Sequence, residues 1–191
     1  GLHTQQIFWA ALAVARNLGL STPEIFAGAK QYQPLFGRGE RLERELKQGG
    51  KITLLQDCYN ASPESLYALL KMLHSWGERG LLPPCVLVLG DMLELGSESL
   101  ALHEKVAELI AGYWGKRIPQ SLCVLLYGPM MRQAWLRLAA AVPFCRHLEN
   151  AEELEQAMVS ALRACTQEPP LLVLKGARSM YLEKIAANIL L

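Results

Sequence analysis

Two hydrophobic patterns alternate along this chain. One is a short, unbroken apolar run, as in Cys85 to Leu89 or Leu122 to Tyr127. Such runs read as strands buried on both faces. The other is a longer stretch with apolar residues every three or four positions. Leu66, Leu69, Leu70 and Leu73 follow it, and it reads as a helix packing one face. The first such helix covers residues 4 to 18, rich in Ala and Leu and closed by Asn17 and Gly19. A second, short helix starts at a capping box of Ser21 and Glu24, with Pro23 in its first turn. The pair ends near Gln33-Pro34. Residues 41 to 56 read as a hairpin with a charged strand, a turn at Gly49-Gly50 and an apolar strand from Ile52 to Gln56. The charged member suits an exposed sheet edge.

Beyond the hairpin, strands and helices alternate. Ser62 caps a helix with Pro63 at its first position. Leu102, Val106, Leu109 and Ile110 mark the next helix, and another runs from about Met130 to Ala141. A short strand near His147 precedes a helix capped by Asn150 with Glu153. Leu171 to Leu174 is the last strand, and the last helix begins at Ser179 with Leu182, Ile185 and Ile189 inward. This order predicts a Rossmann-like, doubly wound α/β sheet of about six mostly parallel strands. The hairpin supplies one antiparallel edge strand, and a helical tail precedes the sheet.

Composition narrows the function classes. With 191 residues, 51% of them hydrophobic, the chain builds a substantial core. The net charge of +1 comes without a basic stripe, so nucleic acid is not an expected partner. No apolar run approaches the ~20 residues of a membrane span, and the start carries no basic n-region of a signal peptide. The expected location is the cytoplasm. Cys58, Cys85, Cys123, Cys145 and Cys165 are odd in number and lack CxxC spacing. They read as reduced thiols, not as disulfides or metal ligands.

Candidate chemistry sits where apolar runs end. Four of them run into polar or Gly-containing turns: Asp57 to Pro63, Gly90 to Gly96, Gly128-Pro129, and Lys175 to Ser179. Open α/β sheets bind ligands just outside the carboxyl ends of their strands. An acid at a strand end, Asp57, suits a ribose diol, and Tyr59 and Asn60 suit stacking on and pairing with a base. The same residues also make an ordinary capped turn. Lys175 and Arg178 flank a helix start, which favours an anion, or they form a surface ion pair. Asp91 and Glu94 suit a ligand ammonium, or a cap for the helix that follows. His103 either orients that loop or lies on a helix surface.

The residues themselves resemble one family. Asp57-Cys58-Tyr59-Asn60-Ala61-Ser62-Pro63-Glu64-Ser65 resembles the Asp-Ser-Tyr-Asn-Ala-Asn-Pro-x-Ser segment of the Mur ligases. Leu89 to Gly96 with His103, and Val173 to Met180 with Leu182-Glu183, are similar to the LGDMxELG…H and VLKGSRxMxLE stretches of one branch. That branch adds D-alanyl-D-alanine to UDP-N-acetylmuramoyl-tripeptide. Gly37-Arg38-Gly39-Glu40 resembles the GR motif at its domain junction, and Gly1-x-His3 the end of its central domain. Departures are Thr4 and Ile7 where Asn is usual, Gln56 and Ser62 in the first segment, and Ala177 in the last.

The resemblance implies an ATP- and Mg2+-dependent, amide-forming ligase of peptidoglycan precursor synthesis, working through an acyl phosphate. By the same token Arg38, Asp57, Tyr59 and Asn60 face ATP. Asp91, Glu94, Lys175, Arg178 and Ser179 face D-Ala-D-Ala. The family's GxxGKT loop, which cradles phosphates, has no counterpart: the Gly-Lys pairs Gly50-Lys51 and Gly115-Lys116 lack its flanks. The chain therefore reads as the helical tail of a central ATPase domain (residues 1–36) and a C-terminal domain (37–191), cut from a longer protein. Its expected partners are the missing domains of that protein, UDP-MurNAc-tripeptide and D-Ala-D-Ala. No catalytic residue, metal site or cofactor is expected within the chain itself, which alone should be inactive. Residues 1–36 should carry an apolar face of Ile7, Phe8, Leu12, Phe26 and Leu35, covered by the domain or by another molecule. The alternative is a non-catalytic Rossmann-like module that binds a nucleotide or a protein.

Overall fold

The computed structural model describes residues 2–115, 122–140, 142, 145–165 and 169–191, with side chains from residue 7 onward. The side chain of His3, and Lys116 of the second Gly-Lys pair, lie outside the described residues. Helices α1 (Leu2–Asn17) and α2 (Thr22–Gln31) come first. Glu24 closes the capping box by accepting from Ser21 N at 2.8 Å. Strands β1 (Glu40–Glu45) and β2 (Lys51–Asp57) form the hairpin. Its turn is closed by Leu46 N donating to the Gly50 carbonyl at 2.9 Å. Gly49 and Gly50 hold φ of +88° and +100°, which side chains other than glycine's resist.

The rest alternates: α3 (Pro63–Glu78), β3 (Cys85–Gly90), α4 (Ser99–Trp114), β4 (Leu122–Tyr127), α5 (Met131–Leu138), β5 (Cys145–Leu148), α6 (Ala151–Arg163), β6 (Leu171–Lys175) and α7 (Leu182–Ala187). The six strands form one sheet in the order β1-β2-β6-β3-β4-β5. Among the described strands only the β1–β2 pairing is antiparallel, and β1 lies at the edge. This is the expected doubly wound architecture.

Each inner strand is apolar on both sides because each side meets a different core layer. Cys85, Leu87 and Leu89 of β3 pack with Leu122, Val124 and Leu126 of β4 under α3, α4 and α5. Val86, Val88, Leu172 and Leu174 pack on the other face against α6 and α7. The chain lays down β2, β3, β4 and β5 with α3, α4 and α5 on one face. It then returns through α6 on the opposite face and inserts β6 between β2 and β3. The direction of winding reverses there, so the carboxyl ends of β2, β6 and β3 lie side by side, where α/β sheets hold ligands.

Two expectations change. Ser179 does not begin the last helix. Residues Arg178–Met180 form a single 3₁₀ turn, Tyr181 follows with φ +50°, and α7 starts at Leu182. The left-handed residue breaks the helical path so that Leu182 and Ile185 can reach the α6–α7 layer. The apolar face of residues 1–36 is present, but the domain does not cover it. Ile7, Phe26 and Leu35 are 66, 57 and 72% exposed, and only Leu12 of the five is half-buried. Both sheet faces are already filled by α3 to α7, which leaves these helices none to pack on. Among the described residues no helix is long and apolar enough to cross a membrane.

This contrast sets an expectation for stability. Leu70, fully buried in the α3 layer, should lose about 2–5 kcal/mol on Leu70→Ala, transfer and cavity together. Phe26→Ser, on the uncovered face, should stay within about 0.5 kcal/mol. Urea denaturation of the 191-residue chain measures both.

Candidate functional site

Register builds the site. In the parallel ladder Asp57 of β2 stands opposite Lys175 of β6, and Lys175 opposite Leu89 of β3. Gly90 stands opposite Tyr127 of β4. The turns after these strands therefore adjoin along one edge: residues 57–62, 175–180, 90–96 and 128–130. The structure brings the sequence-predicted residues to this edge, but in different states of engagement.

On the β2 side, Asp57 accepts from Lys175 Nζ through Oδ2 at 2.9 Å. The same ammonium donates to the Asn60 carbonyl at 2.8 Å. Lys175 is buried, whereas Tyr59 and Asn60 are exposed. The Asn60 side chain is turned onto its own backbone, accepting from Ala61 N at 2.9 Å. Ser62 then caps α3 by accepting from Ser65 N. Arg38 lies over the Tyr59 ring, 4.2 Å from its centroid, a cation–π arrangement. Tyr59 N donates to the Gly37 carbonyl at 2.9 Å. A side chain at Gly37 would crowd that nitrogen at 3.1 Å, and its φ is +68°.

On the β3 side, Asp91 is buried and its carboxylate points away from solvent. Its two oxygens accept from Met131 N at 2.8 Å and Met130 N at 3.2 Å. It thus caps the start of α5, a neighbouring helix, and not the helix that follows it. Burial holds the Asp91 carboxyl above the usual range, and the two amide hydrogen bonds offset this only in part. Gly128 makes room for it: with φ +107°, a β-carbon there would stand 2.6 Å from the Asp91 carboxyl carbon. His147 donates to the Gly128 carbonyl from Nε2 at 2.8 Å. His103 is fully buried, not on a helix surface. Its Nε2 accepts from Met92 N at 3.0 Å, so Nδ1 carries the proton toward the Ser99 carbonyl at 2.7 Å. His103 therefore orients the loop. Glu94 is exposed, with φ +61°, a backbone state that costs a non-glycine residue energy and tends to occur at functional turns.

On the β6 side, Arg178 and Ser179 are exposed. Arg178 pairs with Glu183 and stands 5.3 Å from the Phe36 ring centroid. Glu183 also accepts from the Cys58 thiol at 3.6 Å. Burial, with the Glu183 carboxylate beside it, pushes that thiol up to about 12, so it is inert at neutral pH. The Ala177 amide is taken by the Asp91 carbonyl at 3.1 Å. Sequence reasoning gave Glu183 and Phe36 no role at the edge, and placed the Gly128-Pro129 turn there without its contact to Asp91. Glu183 was visible inside the motif that carries Arg178. The contacts of Phe36 and Gly128 join distant segments, and nothing in local spacing announces them.

Asp91→Ala leaves the Met130 and Met131 amides without their acceptor. The cost should be about 1–3 kcal/mol. Gly128→Ala should cost at least as much, from the strained φ and the collision with Asp91. Thermal unfolding of each variant checks the pair.

Residues 37–178 match the model of the Mur ligase, glutamate ligase domain family. Among curated proteins, the UDP-N-acetylmuramoyl-tripeptide–D-alanyl-D-alanine ligase of Treponema pallidum is 31% identical over 97% of this chain and 36% of its own length. The ligase of the same name from Bacillus subtilis is 26% identical over 100% of this chain and 38% of its length. The chain thus spans little more than a third of these relatives. Among solved structures, MurF from Acinetobacter baumannii superposes with a TM-score of 0.78 at 24% identity, covering 98% of this chain and 37% of that one. MurF from Thermotoga maritima in complex with ADP gives 0.66 at 20% identity, over 93% of this chain and 35% of that one. These likenesses carry the fold, and the family match carries the assignment: the chain belongs to the Mur ligase family, through its glutamate ligase domain.

Proposed function

We propose that this chain is the carboxy-terminal part of an ATP-dependent ligase that joins D-alanyl-D-alanine to UDP-N-acetylmuramoyl-tripeptide in the cytoplasm. The observation that carries the reading is the Treponema relative of that name, aligned over 97% of the chain. Residues 37–191 would be the C-terminal domain, and the family match begins at residue 37. Residues 1–36 would be the helical tail of a central ATPase domain. The exposed Ile7, Phe26 and Leu35 support this, since such a face is built to be covered.

In this reaction ATP phosphorylates the tripeptide carboxylate, giving an acyl phosphate and ADP. The amine of D-Ala-D-Ala attacks the acyl carbon, the amide bond forms and phosphate leaves. The phosphate-binding loop and the Mg2+ that accompanies ATP belong to the upstream part of the protein. This domain supplies one wall of the nucleotide site and the dipeptide site, and its closure over the central domain excludes water from the acyl phosphate. Asp57 suits the ribose diol, Tyr59 and Asn60 the base, and Arg38 the phosphates. The Thermotoga neighbour is a complex with ADP, in keeping with a reaction that uses a nucleotide. For Arg38 to reach phosphate it must leave the Tyr59 ring, which frees that ring for stacking. Exposed Arg178 and Ser179 suit the dipeptide carboxylate, and Glu94, with Asp91 supporting its turn, suits the amine end.

Two expectations follow from the division of labour. The chain alone should release no phosphate from ATP. The protein that contains it should turn ATP over continuously only when tripeptide and D-Ala-D-Ala are both present, followed as phosphate release and product mass. Absence of ligation by that protein would reduce the chain to a binding module. In the same assay, Arg178→Ala should raise the KM for D-Ala-D-Ala about ten- to a hundredfold, the value of a lost charge-assisted pair of about 1.5–3 kcal/mol. The KM for ATP should move far less. An unchanged dipeptide KM removes Arg178 from the site.

A further inference from the structure

Among the described residues, Lys175 and Asp91 are the two charged ones buried to 2% exposure. Asp91 is accounted for by the α5 cap, but Lys175 is not accounted for by the reaction. A lysine at the end of a strand facing a nucleotide and an anionic peptide invites assignment as an anion contact. The geometry points elsewhere. We infer that Lys175 is a positioning residue for the nucleotide side of the site and contacts neither substrate: its ammonium fastens the Asp57–Asn60 turn to the end of β6.

Three observations carry this. Lys175 is on the same side of β6 as Leu171 and Val173, above the core layer under α3. Its stem is thus enclosed by the sheet and by the turn that leads into α3. Second, its ammonium is already occupied. It donates to Asp57 Oδ2 at 2.9 Å and to the Asn60 carbonyl at 2.8 Å, two of the three bonds such a group can make. Withdrawing it for a substrate would strand a buried charge. Third, the exposure is asymmetric. The Lys175 side chain keeps 2% of its surface in solvent and that of Asp57 23%. A ligand arriving at the edge meets the carboxylate, not the ammonium.

The consequence follows from what the lysine holds. By fixing one oxygen of Asp57 it aims the other. By holding the Asn60 carbonyl it fixes the backbone beside Tyr59, whose ring is exposed. The turn is braced again by Asn60 Oδ1 on Ala61 N. Without Lys175 the acid and the ring lose their fixed relation, and the two loops after β2 and β6 are no longer one body. Arg178, 48% exposed, is left as the cation for the dipeptide.

The kinetic part of this inference rests on the proposed ligase activity; its structural part does not. The test therefore has two arms. In the 191-residue chain, hydrogen exchange is compared between wild type and Lys175→Met, with the amides of Val124 to Leu126 as internal reference. Exchange at Tyr59 to Ala61 should accelerate about tenfold relative to that reference. No change, or equal acceleration across the sheet, overturns the inference. In the full-length protein the wild type is first shown to ligate; failure there defeats the functional reading and leaves the first arm standing. Lys175→Met should then raise the KM for ATP about tenfold and leave that for D-Ala-D-Ala within about twofold. The reverse split makes Lys175 a dipeptide contact. Asp57→Asn combined with Lys175→Met should lose clearly less than the product of the two single losses, because both act on one contact. A multiplied loss shows that they act separately.

Discussion

The sheet is buried on both faces, and everything functional in this domain follows from that constraint. Its inner strands carry apolar residues on either side, and α3, α4 and α5 cover one face while α6 and α7 cover the other. Charged groups have no place on the central strands β3, β4 and β6 except where those strands stop. The reversal of winding between β5 and β6 then sets three strand ends together. Asp57, Lys175 and Gly90 reach one edge because β6 is threaded between β2 and β3.

Burial next decides which of the polar residues remain free. Lys175, Asp91 and His103 sit at or under the edge with their hydrogen-bonding groups engaged by Asp57 and Asn60, by the α5 amides, and by Met92 and Ser99. A buried charge or ring nitrogen without such partners would cost more than the turn gains. Arg38, Tyr59, Glu94, Arg178 and Ser179 remain at the surface. The edge therefore holds two sets of residues: an inner one that fixes the turns and an outer one left at the surface. The linker joins the outer set from both sides. Arg38 lies over Tyr59 and Phe36 lies near Arg178, with Gly37 hydrogen-bonded between them. Movement of the helical segment would thus be felt by the turns after β2 and β6 at once.

The helical segment itself shows the reverse of the sheet's logic. Its apolar residues also recur with a helical period, yet α2 has no buried residue. Periodicity reports that a face is meant to be covered; it does not say by what. In α3 the cover is the sheet. In α1 and α2 the sheet is not available, because its faces are spent on the helices that wind around it.

Local sequence determined much of this protein. Continuous apolar runs fixed the four inner strands, helical spacing fixed α3 and α4, and Ser21, Ser62 and Asn150 marked helix starts that the structure keeps. These features depend on neighbours a few residues apart, so they are written locally. The motifs placed the candidate residues at strand ends for the same reason. Tertiary structure alone decided what each residue does there. Asp91 caps α5 and not the helix it precedes, because the β3 and β4 ends are adjacent in space. Lys175 faces inward to Asp57 because the register sets those two residues opposite each other. The last helix starts at Leu182 instead of Ser179, since a left-handed Tyr181 is what lets Leu182 and Ile185 reach the α6 layer. Charge and spacing name the groups that can bind. Which of them are already bound is settled by contacts between segments far apart in the chain, and no local pattern records those.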